Sequence, residues 1–221
     1  MPDLHPSNWR TDCPTAGGTA PGGAAPGGDA ADGLFLPDGY LPRYPYPLLM
    51  LFADQPAARL LPALSRRNYV GVTVTPDTDP QADPADAVRR ALVAVRRLCH
   101  VHSERVYLVG VGDGCGAAYR AAFRLAGQVA GVAALGGGVP AAGGSPLFAL
   151  DAVRKLRVLV SHGRALAARA DRDHRLFHAA GADVTVYRHA VDAAYHPDML
   201  RDLNRWVIGH VTAEHAQLAR R

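Results

Sequence analysis

At 221 residues, of which 48% are hydrophobic, the chain can bury one sizeable core, and a single folded domain is expected. It contains no apolar run of the roughly 18 residues that a membrane span needs, and its N-terminus lacks a secretory signal pattern, so we expect a cytoplasmic protein. Three widely spaced cysteines indicate neither disulfides nor a zinc cluster, and a net charge of +4 with only 7% aromatic residues does not predict nucleic-acid binding.

The first part of the chain is poor in residues that could form a core. Residues 15–33 are mostly glycine, alanine and proline, a composition that is typical of flexible linkers. The short head before them contains Trp9 and Cys13 and has no clear pattern. We therefore predict a disordered tail over residues 1–33 and one folded domain over residues 34–221.

The first half of that domain alternates apolar runs with amphipathic segments. Apolar and β-branched residues predict strands at 48–53 and 69–75, and the spacing of leucines predicts a helix between them over 57–64. Asp83 and Pro84 are typical of a helix N-cap and first turn. The helix that follows has paired arginines mostly facing outward and an apolar stripe of Val88, Leu92, Val95 and Cys99.

The second half repeats the alternation and predicts the fold class. Strands are expected at 106–109, 129–135, 156–161 and 184–187, and helices at 115–125, at 172–180 with Gly181 as a C-cap, and from Pro197 onward. Strands that alternate with helices predict an α/β fold with a mostly parallel sheet. Right-handed crossovers then favour a three-layer α/β/α sandwich.

Three motifs in this half carry a resemblance to a known family. They are VYLVGVGDG at 106–114, VLVSHG at 158–163 and the sequence around Tyr195-His196-Pro197. With the order of strands and helices, they resemble the α/β-hydrolase superfamily, in particular the phospholipase/carboxylesterase and dienelactone-hydrolase-like esterases. The resemblance covers residues 48–211 and implies a Ser-His-acid triad behind a G-x-S-x-G turn.

The triad positions depart from the family pattern. Gly112 stands where the family has its nucleophilic serine, and glycine has no side chain that could attack a carbonyl. The acid is expected three residues after the late His-Gly pair, and Leu166 occupies that position. Of the three triad members, the resemblance leaves only the histidine, His196.

The oxyanion position departs as well. The family has a His-Gly pair after the first matched strand, whereas Ala53 and Asp54 stand here, and a carboxylate would oppose a developing oxyanion. We therefore predict an esterase-like pseudoenzyme that has lost serine-hydrolase catalysis. Its old pocket, near Gly112, Ala53, Asp54 and His196, would bind a small acyl or ester-like ligand or contact a protein partner.

A displaced nucleophile is the main alternative. Cys115 at the start of the next helix, or Asp113 if the turn slipped by one residue, could act with His196 in an active carboxylic-ester hydrolase. Asp171 or Asp173 could replace the missing acid, although a capping or solvent-exposed role suits both better. The serines at positions 145 and 161 lack the flanking strand-to-helix elbow of a nucleophile.

Cofactor and metal sites are not indicated. Residues 112–117 fit the G-x-G-x-x-A pattern of dinucleotide-binding folds, but no acidic residue ends the next strand at 135–138, so a nucleotide binder is only a minor alternative. His100, His102 and His162 lack the converging partners of a metal site. We expect neither a metal nor a cofactor.

Overall fold

Seven strands form one sheet in the computed structural model, which describes residues 33–76, 79, 82–139, 153–193 and 195–218. They are β1 (Leu34–Phe35), β2 (Tyr46–Phe52), β3 (Val70–Thr73), β4 (Val101–Val111), β5 (Gly131–Leu135), β6 (Arg157–His162) and β7 (Asp183–Arg188). Their order in the sheet is β1-β3-β2-β4-β5-β6-β7. Only β1 runs antiparallel to its neighbour, which confirms the expected mostly parallel sheet.

Five helices cover the two faces of this sheet within the described ranges. They are α1 (Ala57–Leu64), α2 (Pro84–Leu98), α3 (Cys115–Arg124), α4 (Ala167–Ala179) and α5 (Asp198–Leu218). Buried side chains of α2, α3 and α4 share one apolar cluster with the sheet, and those of α1 and α5 share another. The predicted three-layer α/β/α sandwich is confirmed.

The central strands are buried on both sides, as their continuous apolar sequence requires. All seven residues of β2 are buried, and Met50 packs toward α2 and α3 while Leu51 packs toward α1 and α5. Trp206 of α5 stacks edge-on against Tyr107 of β4, with ring centroids 5.5 Å apart. Each fully buried side chain of this size contributes about 1.5–3 kcal/mol through removal of apolar surface from water.

Two elements are longer than predicted. β4 begins at Val101 rather than at residue 106, because backbone pairing with β2 continues past a bulge into residues whose side chains face solvent. Apolar patterning does not reveal this segment, since residues 102–104 between the buried Val101 and Arg105 are not buried. Similarly, α4 begins at Ala167, five residues early, because its alanine-rich first turn favours a helix without marking a buried face.

The start of the domain is anchored at the edge of the sheet. The carbonyl of Gly33 accepts a hydrogen bond from the backbone N–H of Thr73 at 3.1 Å. Residues 1–32, which carry most of the predicted tail including Cys13, lie outside the described residues. None of the described helices combines the length and apolar character that crossing a lipid bilayer requires.

Candidate functional site

The site lies at the carboxyl edge of the parallel strands, where the loops that follow them converge. The loop after β2 carries Ala53 and Asp54, and the turn after β4 carries Gly112 and Asp113. The loop after β7 leads to His196 at the start of α5. The fold thus brings the loops that carry the predicted residues to one edge of the sheet.

The turn after β4 is sharp and has glycine at its apex. A 3-10 turn, Gly112–Gly114, leads directly into α3, and Gly112 adopts a left-handed φ of 55°. A Cβ atom added at Gly112 would have no described atom within 4 Å, whereas one at Gly114 would lie 2.0 Å from the carbonyl oxygen of Phe52. A Cβ at Gly110 would lie 2.3 Å from the Cα of Cys115. Close packing therefore requires glycine at positions 110 and 114. A Cβ atom at position 112 would meet no described atom within 4 Å.

The loop after β5 packs directly onto this turn. A Cβ added at Gly137 would lie 2.3 Å from the carbonyl oxygen of Gly112, so only glycine fits at this approach. Arg169 of α4 holds the same loop by donating hydrogen bonds to the carbonyls of Gly138 and Val139 at 3.2 and 2.8 Å. The backbone of the site is thus supported from α4.

Neither candidate for a displaced acid contacts His196 among the described residues. Asp173 is fully buried, contrary to the solvent-exposed position expected for it, and accepts hydrogen bonds from the N–H of Val139 and from Arg172. Asp171 pairs with Arg188 at 2.8 Å, and this hydrogen bond lowers the pKa of the Asp171 carboxyl group. Both carboxylates are engaged in holding α4 to its surroundings.

His196 is held by the helix that it precedes. Its Nδ1 accepts a hydrogen bond from the backbone N–H of Asp198 at 3.2 Å and lies 3.5 Å from the Asp198 carboxylate. A neutral imidazole that accepts at Nδ1 carries its proton on Nε2. A triad histidine needs the opposite tautomer, with Nδ1–H donating to the acid and Nε2 free to take the proton of serine.

The other predicted positions lack groups that could complete a triad. Leu166 ends a 3-10 turn at the acid position and is partly buried. Asp54 and Asp113 are exposed, while Ala53 is partly buried against the apolar cluster beneath α1 and α5. The site therefore has apolar surface at Ala53 and Leu166 and solvent-exposed carboxylates at Asp54 and Asp113.

Cys115 faces the interior of the protein. Its side chain is buried under α3, with Sγ 3.8 Å from the carbonyl oxygen of Leu135. Burial raises the pKa of the Cys115 thiol to about 12, and the hydrogen bond to Leu135 and the charge of Arg169 only partly oppose this. Because the thiolate is the nucleophilic form, burial and the raised pKa disfavour Cys115 as a nucleophile at neutral pH.

A buried polar cluster that the sequence did not predict lies beside the site. Ser161 at the end of β6 donates to the Asp202 carboxylate of α5 at 2.9 Å, and His189 Nε2 approaches the same carboxylate oxygen at 2.6 Å. The Ser161 hydroxyl also lies 3.1 Å from His189 Nε2. Both contacts of His189 use one nitrogen, so the cluster lacks the two-sided relay of a catalytic triad and instead joins β6, the loop after β7 and α5.

The remaining histidines of the site show no metal geometry. His162 is buried, with Nδ1 2.9 Å from the carbonyl oxygen of Gly163, and His189 lies beside His196 with ring centroids 6.5 Å apart. Within the described part of the chain, no three histidine, cysteine or acidic side chains converge as metal ligands would.

Comparison with solved structures identifies the fold. A thermostable esterase is 14% identical with a TM-score of 0.54, and the alignment covers 80% of this chain but only 58% of that esterase. Fungal esterase from Rhizomucor miehei gives 15% identity and a TM-score of 0.58, covering 80% of this chain and 77% of that one. A phospholipase/carboxylesterase from Dyadobacter fermentans gives 16% and 0.51, covering 75% of this chain and 91% of the other.

These likenesses show that the chain has the fold of the α/β-hydrolase esterases, as its sequence motifs predict. The sequence itself matches no protein-family model and no curated protein. At identities this low the similarity establishes the fold and not the chemistry.

Proposed function

We propose that this α/β-hydrolase-fold protein has lost serine-hydrolase catalysis and acts as a binding or scaffold module through the pocket at the turn after β4. Its ligand would be a small acyl or ester-like molecule or a protein partner, and its location would be cytoplasmic.

The observation that carries this proposal is the geometry around Gly112. Close packing requires glycine at positions 110 and 114, so the sharp strand-to-helix turn is maintained by its flanking residues. The apex has the left-handed backbone and the open space that a nucleophile would occupy, but it presents no side chain. A strand-to-helix turn of this kind without a reacting group at its apex supports binding rather than turnover.

The state of His196 supports the same conclusion. Its Nδ1 accepts from the helix backbone, which leaves the proton on the nitrogen that a general base would need free. The position of the orienting acid holds Leu166, which can form no hydrogen bond through its side chain. Restoring a serine at the apex would therefore not restore the complete machinery.

An active enzyme with a displaced nucleophile has less support. The Cys115 thiol is buried and held in its neutral form by a raised pKa. Asp113 is exposed, and among the described contacts of His196 the neighbouring carboxylate is that of Asp198. Neither candidate is therefore seen within hydrogen-bond reach of the imidazole, which a nucleophile and base must have.

A fluorophosphonate probe tests the proposal, because it forms a covalent adduct with activated serines. We expect the intact mass of the parent protein to stay unchanged over a time that fully labels an active serine esterase in the same tube. The Gly112→Ser variant should also remain unlabelled, since the position of the orienting acid holds Leu166 and Nδ1 of His196 is engaged by the helix backbone. Stoichiometric labelling of the parent at one residue would overturn the proposal.

A further inference from the structure

The positive charge of the chain is concentrated on two adjacent helices. With the N-cap of α2 included, α2 and α3 carry six arginines and two aspartates, a balance of +4 that equals the formal net charge of the whole chain. The rest of the chain is therefore formally neutral. The arginines are Arg89, Arg90, Arg96, Arg97, Arg120 and Arg124, all of them exposed, and we call this surface the arginine face.

The two aspartates neutralise only one end of the arginine face. Asp86 pairs with Arg89 at 2.5 Å, and Asp83 lies 3.5 Å from Arg124, which ties the end of α3 to the start of α2. The C-terminal half of α2, with Arg96 and Arg97, contains no acidic residue. Glu104 of β4 lies across the cleft from Arg96, so the excess positive charge at that end comes from one of the two arginines.

Apolar side chains are exposed among these arginines. Val93 is 52% and Leu98 39% exposed on α2. Beside them lies an open cleft of about 300 Å³ between the C-terminal half of α2 and the amino edge of the sheet. Its apolar lining comes from Leu92 and Val129. It also has one positive side chain, Arg96, and one negative side chain, Glu104.

We propose that the arginine face docks an acidic, amphipathic segment of a partner protein. Carboxylates of the segment would pair with the exposed arginines, and an apolar side chain would enter the cleft at Leu92 and Val129. Arginine suits this role because its planar guanidinium binds carboxylates in two-point geometry and is enriched at protein interfaces. The single carboxylate of Glu104 would repel acidic residues from the cleft and so fix which part of the segment enters it.

The same surface is a poor match for a single-stranded nucleic acid. Such ligands stack their bases on exposed aromatic rings beside a basic groove. The aromatic residues of α2 and α3 are Tyr119 and Phe123, and both are buried against Phe177 of α4. Exposed Val93 and Leu98 offer instead the apolar contacts that a protein segment uses.

This inference goes beyond the proposed function, because the arginine face is distinct from the pocket at Gly112. The cleft opens at the amino edge of the sheet, near the start of β4, whereas the turn at Gly112 lies at the carboxyl edge where β4 ends. Occupation of either surface can therefore be measured without the other.

The test is fluorescence anisotropy of a labelled synthetic peptide made of repeats of Glu-Leu-Glu-Glu, titrated with the full chain. We expect saturable binding that weakens roughly tenfold when salt is raised from low levels to about 0.3 M. The double variant Arg96→Gln, Arg97→Gln should bind about three- to tenfold more weakly. A peptide with serine in place of leucine should also bind more weakly, because it cannot fill the cleft.

The matched control is the double variant Arg66→Gln, Arg67→Gln, which removes the same charge from an exposed arginine pair beside α1. It should leave peptide affinity nearly unchanged. Equal losses from both double variants would overturn the proposal, because they would show attraction to net charge alone. Tighter binding of a single-stranded oligonucleotide of matched charge, or no peptide binding at low salt, would overturn it as well.

Discussion

Gly114→Ala is expected to lower the free energy of unfolding by roughly 3 kcal/mol or more, the upper end of what overpacking costs. The added methyl group would sit 2.0 Å from the carbonyl oxygen of Phe52 and 2.6 Å from its carbonyl carbon, both of them backbone atoms of the central strand β2. Backbone of a paired central strand cannot move aside as a flexible side chain can. Urea unfolding followed by tryptophan fluorescence or circular dichroism measures the loss.

Gly112→Ala is the matched control on the same turn. Its methyl group would meet no described atom within 4 Å, so the only cost is the left-handed φ of 55°, about 1–2 kcal/mol for a residue with a side chain. The larger loss should therefore come from Gly114. Equal losses at the two positions would contradict the packing that we describe for the turn.

Asp202→Ala should destabilise the protein by about 3 kcal/mol, because it removes the acceptor shared by a buried hydroxyl and a partly buried imidazole. Ser161 is fully buried and donates to this carboxylate at 2.9 Å, and His189 lies 2.6 Å from it. Without Asp202 the buried hydroxyl and the partly buried imidazole would lose their shared acceptor and keep only their contact with each other at 3.1 Å. For a chain of this size the expected fall in Tm is about 6–12 °C.

The control for this prediction is Asp198→Ala, one turn earlier on α5. Asp198 is about half exposed, and its ion pair with Arg201 at 2.7 Å is open to solvent. Its removal should therefore lower the free energy of unfolding by no more than about 1 kcal/mol. A loss from Asp202→Ala as small as that from Asp198→Ala would mean that the buried cluster does not hold the loop after β7 to α5.

Much of the fold could be predicted because burial leaves a pattern in the sequence. The continuous apolar run of β2 is a strand buried on both faces, and Asp83 caps α2 by accepting from the N–H of Ala85 at 3.0 Å, as predicted. The start of β4 was missed because its side chains at 102–104 face outward, where polar residues suit a strand or a loop equally well. The pairing of Val101 with Tyr46 of β2 makes this segment part of the strand.

The candidate site was only partly predictable. The glycine spacing at 110–114 indicates the sharp turn because glycine alone tolerates close backbone approach. The cluster of Ser161, His189 and Asp202 has no such signal, since its members are up to 41 residues apart and meet only after α5 packs on the sheet. The burial of Asp173 was also hidden, because arginines surround it on α4 and its acceptor role depends on the loop after β5.

Turnover of p-nitrophenyl acetate and butyrate by the purified parent chain, beside His196→Ala, tests the loss of catalysis most directly. We predict that nitrophenol release by both proteins equals that of buffer, since the apex holds Gly112 and the position of the orienting acid holds Leu166. Parent turnover that His196→Ala abolishes would contradict this account. It would mean that a nucleophile acts with His196, and Asp113 and Cys115 would be substituted next to find it.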